Sequence, residues 1–272
     1  MFPGEAHLHM REETDQTGKR ATGVEAHLER ARHLRRMGDS EAAVATLRKA
    51  LRSTGDKTHV YIELADLYRG QRKPDLAIEA MRKAIKRRPN DVQAREILLE
   101  ILLETGRFDD CIEESKALLR LSPKSLSARD VLSIAYIQKD MIERALQVTN
   151  EMINLDPSSP ANHFKKALLY QQKGDVGNAI HEFTRVLEMN PDDEMAEGAQ
   201  QAIEALDSFQ IRHIVMLAVE DFIFRAKLAR DPESAALERG FYLSYSGMNM
   251  LKQIQFDELS DVWSEWKQRS YH

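Results

Sequence analysis

The chain holds a single cysteine, Cys111, among 272 residues, so no disulfide can form within it. No apolar run is long enough to cross a bilayer. The longest begins at Ile214 and is stopped by Glu220 and Asp221, far short of the roughly 20 residues a spanning helix needs. The first twenty residues are polar and mixed in charge, without the apolar core of a secretory signal, so cytoplasmic residence is expected. Lysine and arginine do not outnumber the acids: the formal net charge is −5, which disfavours nucleic acid as a general partner. No Gly-rich phosphate loop is present. His181-Glu182 lacks the second histidine that an HExxH zinc site requires, and His7-x-His9 offers two ligands where a closed site takes four.

Proline is also scarce, eight in all, yet Pro89, Pro123, Pro157 and Pro191 recur at a fixed interval of 34 residues. A strict period of that length marks a solenoid of helix–turn–helix units. Gly55 stands one interval before Pro89, another helix terminator. Other columns keep the beat. Small residues recur on the second helix of each unit, at Ala43, Ala77, Cys111, Ala145 and Ala179. They recur on the first helix at Ala31, Ala65, Ser133 and Ala167, broken by Leu99. Helices that cross closely need small side chains at the contact. Large apolar residues fill the spaces between, at Leu34, Tyr68, Leu102, Tyr136 and Tyr170, and at Leu51, Ile85, Leu119, Ile153 and Leu187. Gly38, Gly106 and Gly174 mark the turn inside every second unit.

Residues 58–91 show the pattern best: Tyr61-x-x-Leu64-Ala65-x-x-Tyr68, then Ala77-x-x-x-Met81, Ala84 and Pro89. In this the chain resembles the tetratricopeptide repeat family. The resemblance implies an all-α fold, a right-handed superhelical solenoid of antiparallel helix pairs. Five repeats are expected, at 24–57, 58–91, 92–125, 126–159 and 160–193. Arg30 and Lys166 depart from the pattern, standing where Leu64, Leu98 and Leu132 stand in other units. Residues 1–23 read as a flexible tail and 194–207 as a helix closing the last unit. Residues 208–272 read as a C-terminal helical extension. Its first helix carries Ile211, Val215, Ala218, Val219, Phe222 and Ile223 and ends near Asp231-Pro232. A second carries Leu237, Phe241, Tyr245, Met248 and Leu251. A last one is capped by Asp257 and bears Leu259, Val262, Trp263 and Trp266.

In the family the first helix of each unit lines the concave wall, and the resemblance places a partner-binding groove there. Its columns fall at Arg32 and Arg35; Asp66 and Arg69; Glu96, Glu100 and Leu103; Asp130, Ile134 and Ile137; and Phe164 and Leu168. The wall is expected to pass from basic to acidic to apolar, with Ile134, Ile137, Phe164 and Leu168 outside what the core needs and therefore available for contact. Some relatives grip a terminal carboxylate through an Asn column; here that column reads Arg32, Asp66, Glu100, Ile134 and Leu168, so that chemistry is not expected.

The resulting expectation is a non-catalytic scaffold or adaptor that takes a peptide or amphipathic helix of a partner protein. No cofactor, metal or catalytic residue is expected, and Cys111 is expected in the core rather than as a nucleophile. Three alternatives stand beside it. The C-terminal helices could make the protein a regulatory or enzyme-associated subunit. They could also fill the groove as an autoinhibitory segment or mediate self-association. A basic cluster, Arg82, Lys83, Lys86, Arg87 and Arg88, could bind an acidic partner or RNA, although no aromatic platform accompanies it.

Overall fold

The computed structural model describes residues 23–189 and 194–259, and the described residues form helices, turns and loops with no strand. Ten helices follow one another as consecutive pairs. The first three pairs are α1 (Gly23–Arg36) with α2 (Ser40–Ala50), α3 (Thr58–Gly70) with α4 (Pro74–Arg87), and α5 (Val92–Glu104) with α6 (Phe108–Leu121). Then come α7 (Leu126–Gln138), α8 (Ile142–Leu155), α9 (Pro160–Lys173) and α10 (Val176–Met189). Four more follow among the described residues: α11 (Glu194–Glu220), α12 (Phe222–Arg230), α13 (Pro232–Glu238) and α14 (Tyr245–Lys252).

Local chemistry sets the ends of these helices. Asp39, Asp91, Ser125 and Asp175 each accept a backbone N–H of the following helix, from Ala42, Ala94, Ala128 and Asn178 at 2.9–3.2 Å. Such caps satisfy donors that have no partner inside the helix. Pro74 and Pro160 sit in the first turn of their helices, where a missing N–H costs nothing. The recurrent prolines Pro89, Pro123 and Pro157 follow the ends of α4, α6 and α8; Pro191 lies outside the described residues.

The turn inside each pair repeats more strictly than the glycine pattern indicates. Gly38, Gly106 and Gly174 have φ of +82°, +68° and +81°, and Arg72 and Asp140, at the same register, adopt +56°. Each is followed by a residue whose N–H reaches back to the large apolar column: Asp39 to Leu34, Lys73 to Tyr68, Arg107 to Leu102, Met141 to Tyr136 and Asp175 to Tyr170, at 2.8–3.0 Å. This left-handed close to a helix recaptures its last carbonyls.

The second-helix column, Ala43, Ala77, Cys111, Ala145 and Ala179, is completely buried. On the first helix Ala31, Ala65, Leu99, Ser133 and Ala167 are buried as well. Leu99 breaks the small-residue column without leaving the core. Burial pushes the Cys111 thiol up to about 11, so it stays protonated and inert at neutral pH.

The chain divides into two compact units, Met1–Val131 and Leu132–His272, and the division falls within α7. In the second unit, α9, α10 and the start of α11 share a core around Ala167, Phe183, Val186, Ala199 and Ile203. Further along α11 a second core begins: Ile214 and Ala218 pack with Phe224, Leu228, Ala235, Phe241, Leu251 and Phe256.

The C-terminal segment differs from its sequence reading in three places. α11 runs unbroken through residue 207, where the capping helix was expected to give way to the extension. It stops at Asp221, whose carboxylate accepts the N–H groups of Ile223 and Phe224 and starts α12. That break leaves Phe222 and Ile223 exposed, on a different helix from Ile211, Val215, Ala218 and Val219, with which one apolar face was expected. The helix expected over Leu237–Leu251 is two, because Gly240 turns left-handed at φ +80° and 241–244 run without helix. Residues 1–22 and 260–272, including Val262, Trp263 and Trp266, lie outside the described residues.

Two polar side chains of α11 hold this segment down. Gln210 accepts the N–H of Tyr242 at 2.9 Å and donates to its carbonyl at 2.7 Å. Asp207, buried, accepts the N–H and hydroxyl of Ser244 at 2.9 and 2.5 Å. Ser244 in turn caps α14 by accepting the N–H of Gly247. A Cβ at Gly247 would lie 2.3 Å from the Asp207 carboxyl carbon, so only glycine fits this crossing.

Candidate functional site

In the first unit the expected wall residues are brought together as an ion-pair ladder. Arg32 donates to Glu29 at 3.0 Å and to Glu63 at 2.8 Å. Arg35 pairs with Asp66 and lies 3.8 Å from Glu63. Arg69 reaches Glu100 at 3.3 Å and also pairs with Glu104. Each of these three arginines thus engages acids of the next first helix. The hydrogen bonds to Glu63 and Glu104 raise the pKa values of Arg32 and Arg69, outweighing the desolvation that opposes them. The expected succession from basic to acidic is therefore neutralised inside the wall. Glu96, Leu103 and Asp130 are half-buried on the same set of helices.

The basic cluster on α4 resolves in the same way. Arg82 pairs with Asp110 at 3.0 Å, Lys83 with Glu79 at 2.6 Å, and Arg88 with Asp56, while Arg87 stacks over the Tyr61 ring at 5.8 Å. Hydrogen bonds from Thr58 and Arg88 hold the Asp56 carboxyl down at about 2. Four of the five basic side chains of the cluster are thus engaged by neighbouring groups.

The second unit carries the apolar part. Ile134 and Ile137 on α7 are half-buried, and Leu168 on α9 is 46% exposed between buried Ala167 and Leu169. Phe164 is placed differently from its expectation. It is half-buried and meets Phe183 edge-on at 5.4 Å between ring centroids, and it fills the space beside Gly198 of α11. The core therefore uses Phe164.

Three polar residues of this unit went unrecognised as a group in the sequence. Glu182, buried on α10, accepts from His163 Nδ1 at 2.7 Å and from Lys166 Nζ at 2.8 Å. Lys166, the departure from the leucine column, also lies 5.7 Å from the Tyr170 ring centroid. Burial pushes the Glu182 carboxyl up, but the two hydrogen bonds outweigh it and hold the group below its usual range. The signal was present in the register: Arg95 pairs with Glu114, and His163 with Glu182 repeats that pair 68 residues later. Phe209 and Met216 were also missed. They stand 61% and 64% exposed on α11, opposite its buried Ile214–Ala218 face. Among the described residues no group of three or more His, Cys, Asp or Glu is placed to hold a metal ion, and no helix is long and apolar enough to cross a membrane.

Three tetratricopeptide repeat models match the chain, over residues 24–56, 62–125 and 132–204, more than half of its length together. The chain is a tetratricopeptide repeat protein. Solved structures agree on the fold. MamA from Desulfovibrio magneticus RS-1 superimposes with a TM-score of 0.54 at 19% identity, covering 64% of this chain and 98% of that one. YrrB, described as a TPR protein with an unusual peptide-binding site, gives 0.53 at 17% identity over 64% of this chain and 90% of that one. At these identities the likeness concerns the fold alone. No curated protein matches the chain.

Proposed function

We propose that this tetratricopeptide repeat protein is a non-catalytic adaptor that binds a peptide or amphipathic helix of a partner protein along its first-helix faces. The observation that carries the reading is Leu168. It is a large apolar side chain held in water on a helix whose neighbouring positions are fully buried, and Ile134 stands at the same register one repeat earlier. Exposed apolar groups on a rigid scaffold supply contact energy without a cost in ordering. In the first unit Arg32, Arg35, Asp66, Arg69, Glu96, Glu100 and Asp130 supply a polar wall, with Leu103 the one apolar side chain of the set, that selects among partners by register rather than by net charge. Phe164, half-buried, packs α9 against Phe183 of α10 and beside Gly198 of α11.

The test is selection of peptides from a displayed library against the full chain, followed by affinity measurement on Leu168→Glu. Ile134→Glu serves as a second variant, and circular dichroism verifies folding. The expected result is enrichment of amphipathic sequences whose affinity falls at least about tenfold, about 1.4 kcal/mol, in Leu168→Glu. Selected peptides that bind both variants as tightly as wild type would remove this surface from the account.

A further inference from the structure

We infer that the partner segment lies on the second unit as an extended strand rather than a helix, and that Gln138 and Gln172 grip its backbone. The inference rests on the reading that Ile134 and Leu168 form a contact surface, and it names what that surface takes. Gln138 stands four residues after Ile134 on α7, and Gln172 four residues after Leu168 on α9. Side chains four apart on a helix share one face, about 6 Å from each other. The apolar–amide pair therefore occurs twice, one repeat apart. At the same two positions the earlier repeats carry Arg32 with Arg36, Asp66 with Gly70 and Glu100 with Glu104, so among the five repeats the pair belongs to the last two.

Both glutamines are exposed, and neither amide is engaged by another described residue. A side-chain amide offers donor and acceptor together, the same pair that a peptide group offers. An extended residue turns its N–H and C=O to one side, which is how antiparallel strands exchange two hydrogen bonds between one pair of residues. A helix uses both groups internally along its length and leaves such an amide nothing to bind. The chain itself shows the pairing. Gln210 accepts the N–H of Tyr242 at 2.9 Å and donates to the C=O of the same residue at 2.7 Å, within the non-helical stretch 241–244. Gln138 and Gln172 set the same chemistry in solvent, each beside a large apolar side chain. A strand crossing α7 and α9 satisfies both demands: its alternate side chains meet Ile134 and Leu168, and its backbone meets the amides.

The tightest peptide selected from the displayed library, made synthetically, tests this against the full chain. Its sequence is expected to alternate apolar and polar residues with a period of two. The double variant Gln138→Leu with Gln172→Leu keeps side-chain bulk and removes both amides, and is expected to weaken binding at least about tenfold. Esters placed one at a time in the peptide backbone each remove a single N–H. At one or two positions the ester is expected to weaken binding to wild type about fivefold and to leave binding to the double variant unchanged, which locates the hydrogen bond. α-Aminoisobutyrate, which favours helical backbone, is expected to weaken binding. Both glutamines are exposed, and circular dichroism verifies that the double variant folds. A double variant that binds like wild type, while Leu168→Glu does not bind, overturns the amide grip and leaves the apolar surface standing. A peptide that gains helix on binding, or binds more tightly with α-aminoisobutyrate, overturns it too. Binders indifferent to Leu168→Glu overturn both readings.

Discussion

The two units share a skeleton and differ in what they show to solvent. In residues 23–131 successive repeats are tied by ion pairs that span about one repeat: Arg32 to Glu63, Arg69 to Glu100, Arg88 to Asp56 and Arg107 to Asp75. In residues 132–259 Lys173 reaches Glu143 in the same way, and most of the large exposed apolar side chains among the described residues stand there, Leu168, Phe209, Met216, Phe222, Ile223 and Tyr245 with them. The buried pair inside the repeat changes as well, from Arg95–Glu114 to His163–Glu182 with Lys166. What the units hold in common, the alanine crossings and the left-handed turns, makes the fold. What they do not share is where binding is to be sought.

The largest effect is expected where the units are alike. Ala77 and Ala179 occupy the same column, one in each unit, and both are fully buried. Ala77→Trp and Ala179→Trp should each destabilise by about 3 kcal/mol through overpacking, measured by urea unfolding. Similar losses from both sites would establish the crossings as the shared source of stability. A large loss at one and none at the other would mean that the units stand on different cores.

Much of this skeleton was legible because it is periodic. A column such as Ala43 to Ala179 repeats one physical demand five times, and repetition separates signal from chance. The solvent side offered no such redundancy. That Arg69 would be taken up by Glu104 depends on how successive first helices align, which sequence spacing alone leaves open. Phe164 looked surplus because its partners, Phe183 and Gly198, belong to the neighbouring helices. The end of the chain was hardest to read. Gly247 is needed there by the single carboxylate of Asp207, and that demand is not repeated anywhere in the sequence.

A smaller effect separates the units through pH. Glu182→Gln removes the negative charge and puts an amide donor in place of one of the two oxygens that accept from His163 and Lys166, and should cost about 2 kcal/mol at neutral pH. The folded-state value of Glu182 is depressed. The proton is therefore bound more weakly in the folded chain than in the unfolded one, and the stabilisation is complete above the ordinary carboxylate value, 4.5. It is lost as pH falls through the lower folded value. Thermal melts of wild type and Glu182→Gln from pH 7 to pH 3 should converge at the acid end. A gap that keeps its size throughout would show that the charge on Glu182 is not what stabilises this unit.

The smallest effect lies in the turn that every pair uses. Arg72 and Asp140 hold φ +56° at a register where Gly38, Gly106 and Gly174 hold +68° to +82°. A left-handed conformation costs an ordinary side chain about 1–2 kcal/mol, and Asp less because its carboxylate can satisfy backbone groups nearby. Replacing Arg72 by glycine removes that cost but loosens the unfolded chain, which takes back about 0.4–1 kcal/mol. The strain is the larger of the two, so Arg72→Gly should stabilise by roughly 0.5 kcal/mol, and Asp140→Gly by less. Both are read as small rises in Tm. The difference between them measures how far the aspartate of the second unit had already relieved the turn. If Arg72→Gly melts at or below wild type, unfolded-chain entropy outweighs backbone strain at this position, and the bonds from Arg72 and Lys73 to Arg69 and Tyr68, at 3.0 and 2.8 Å, already hold the turn without penalty.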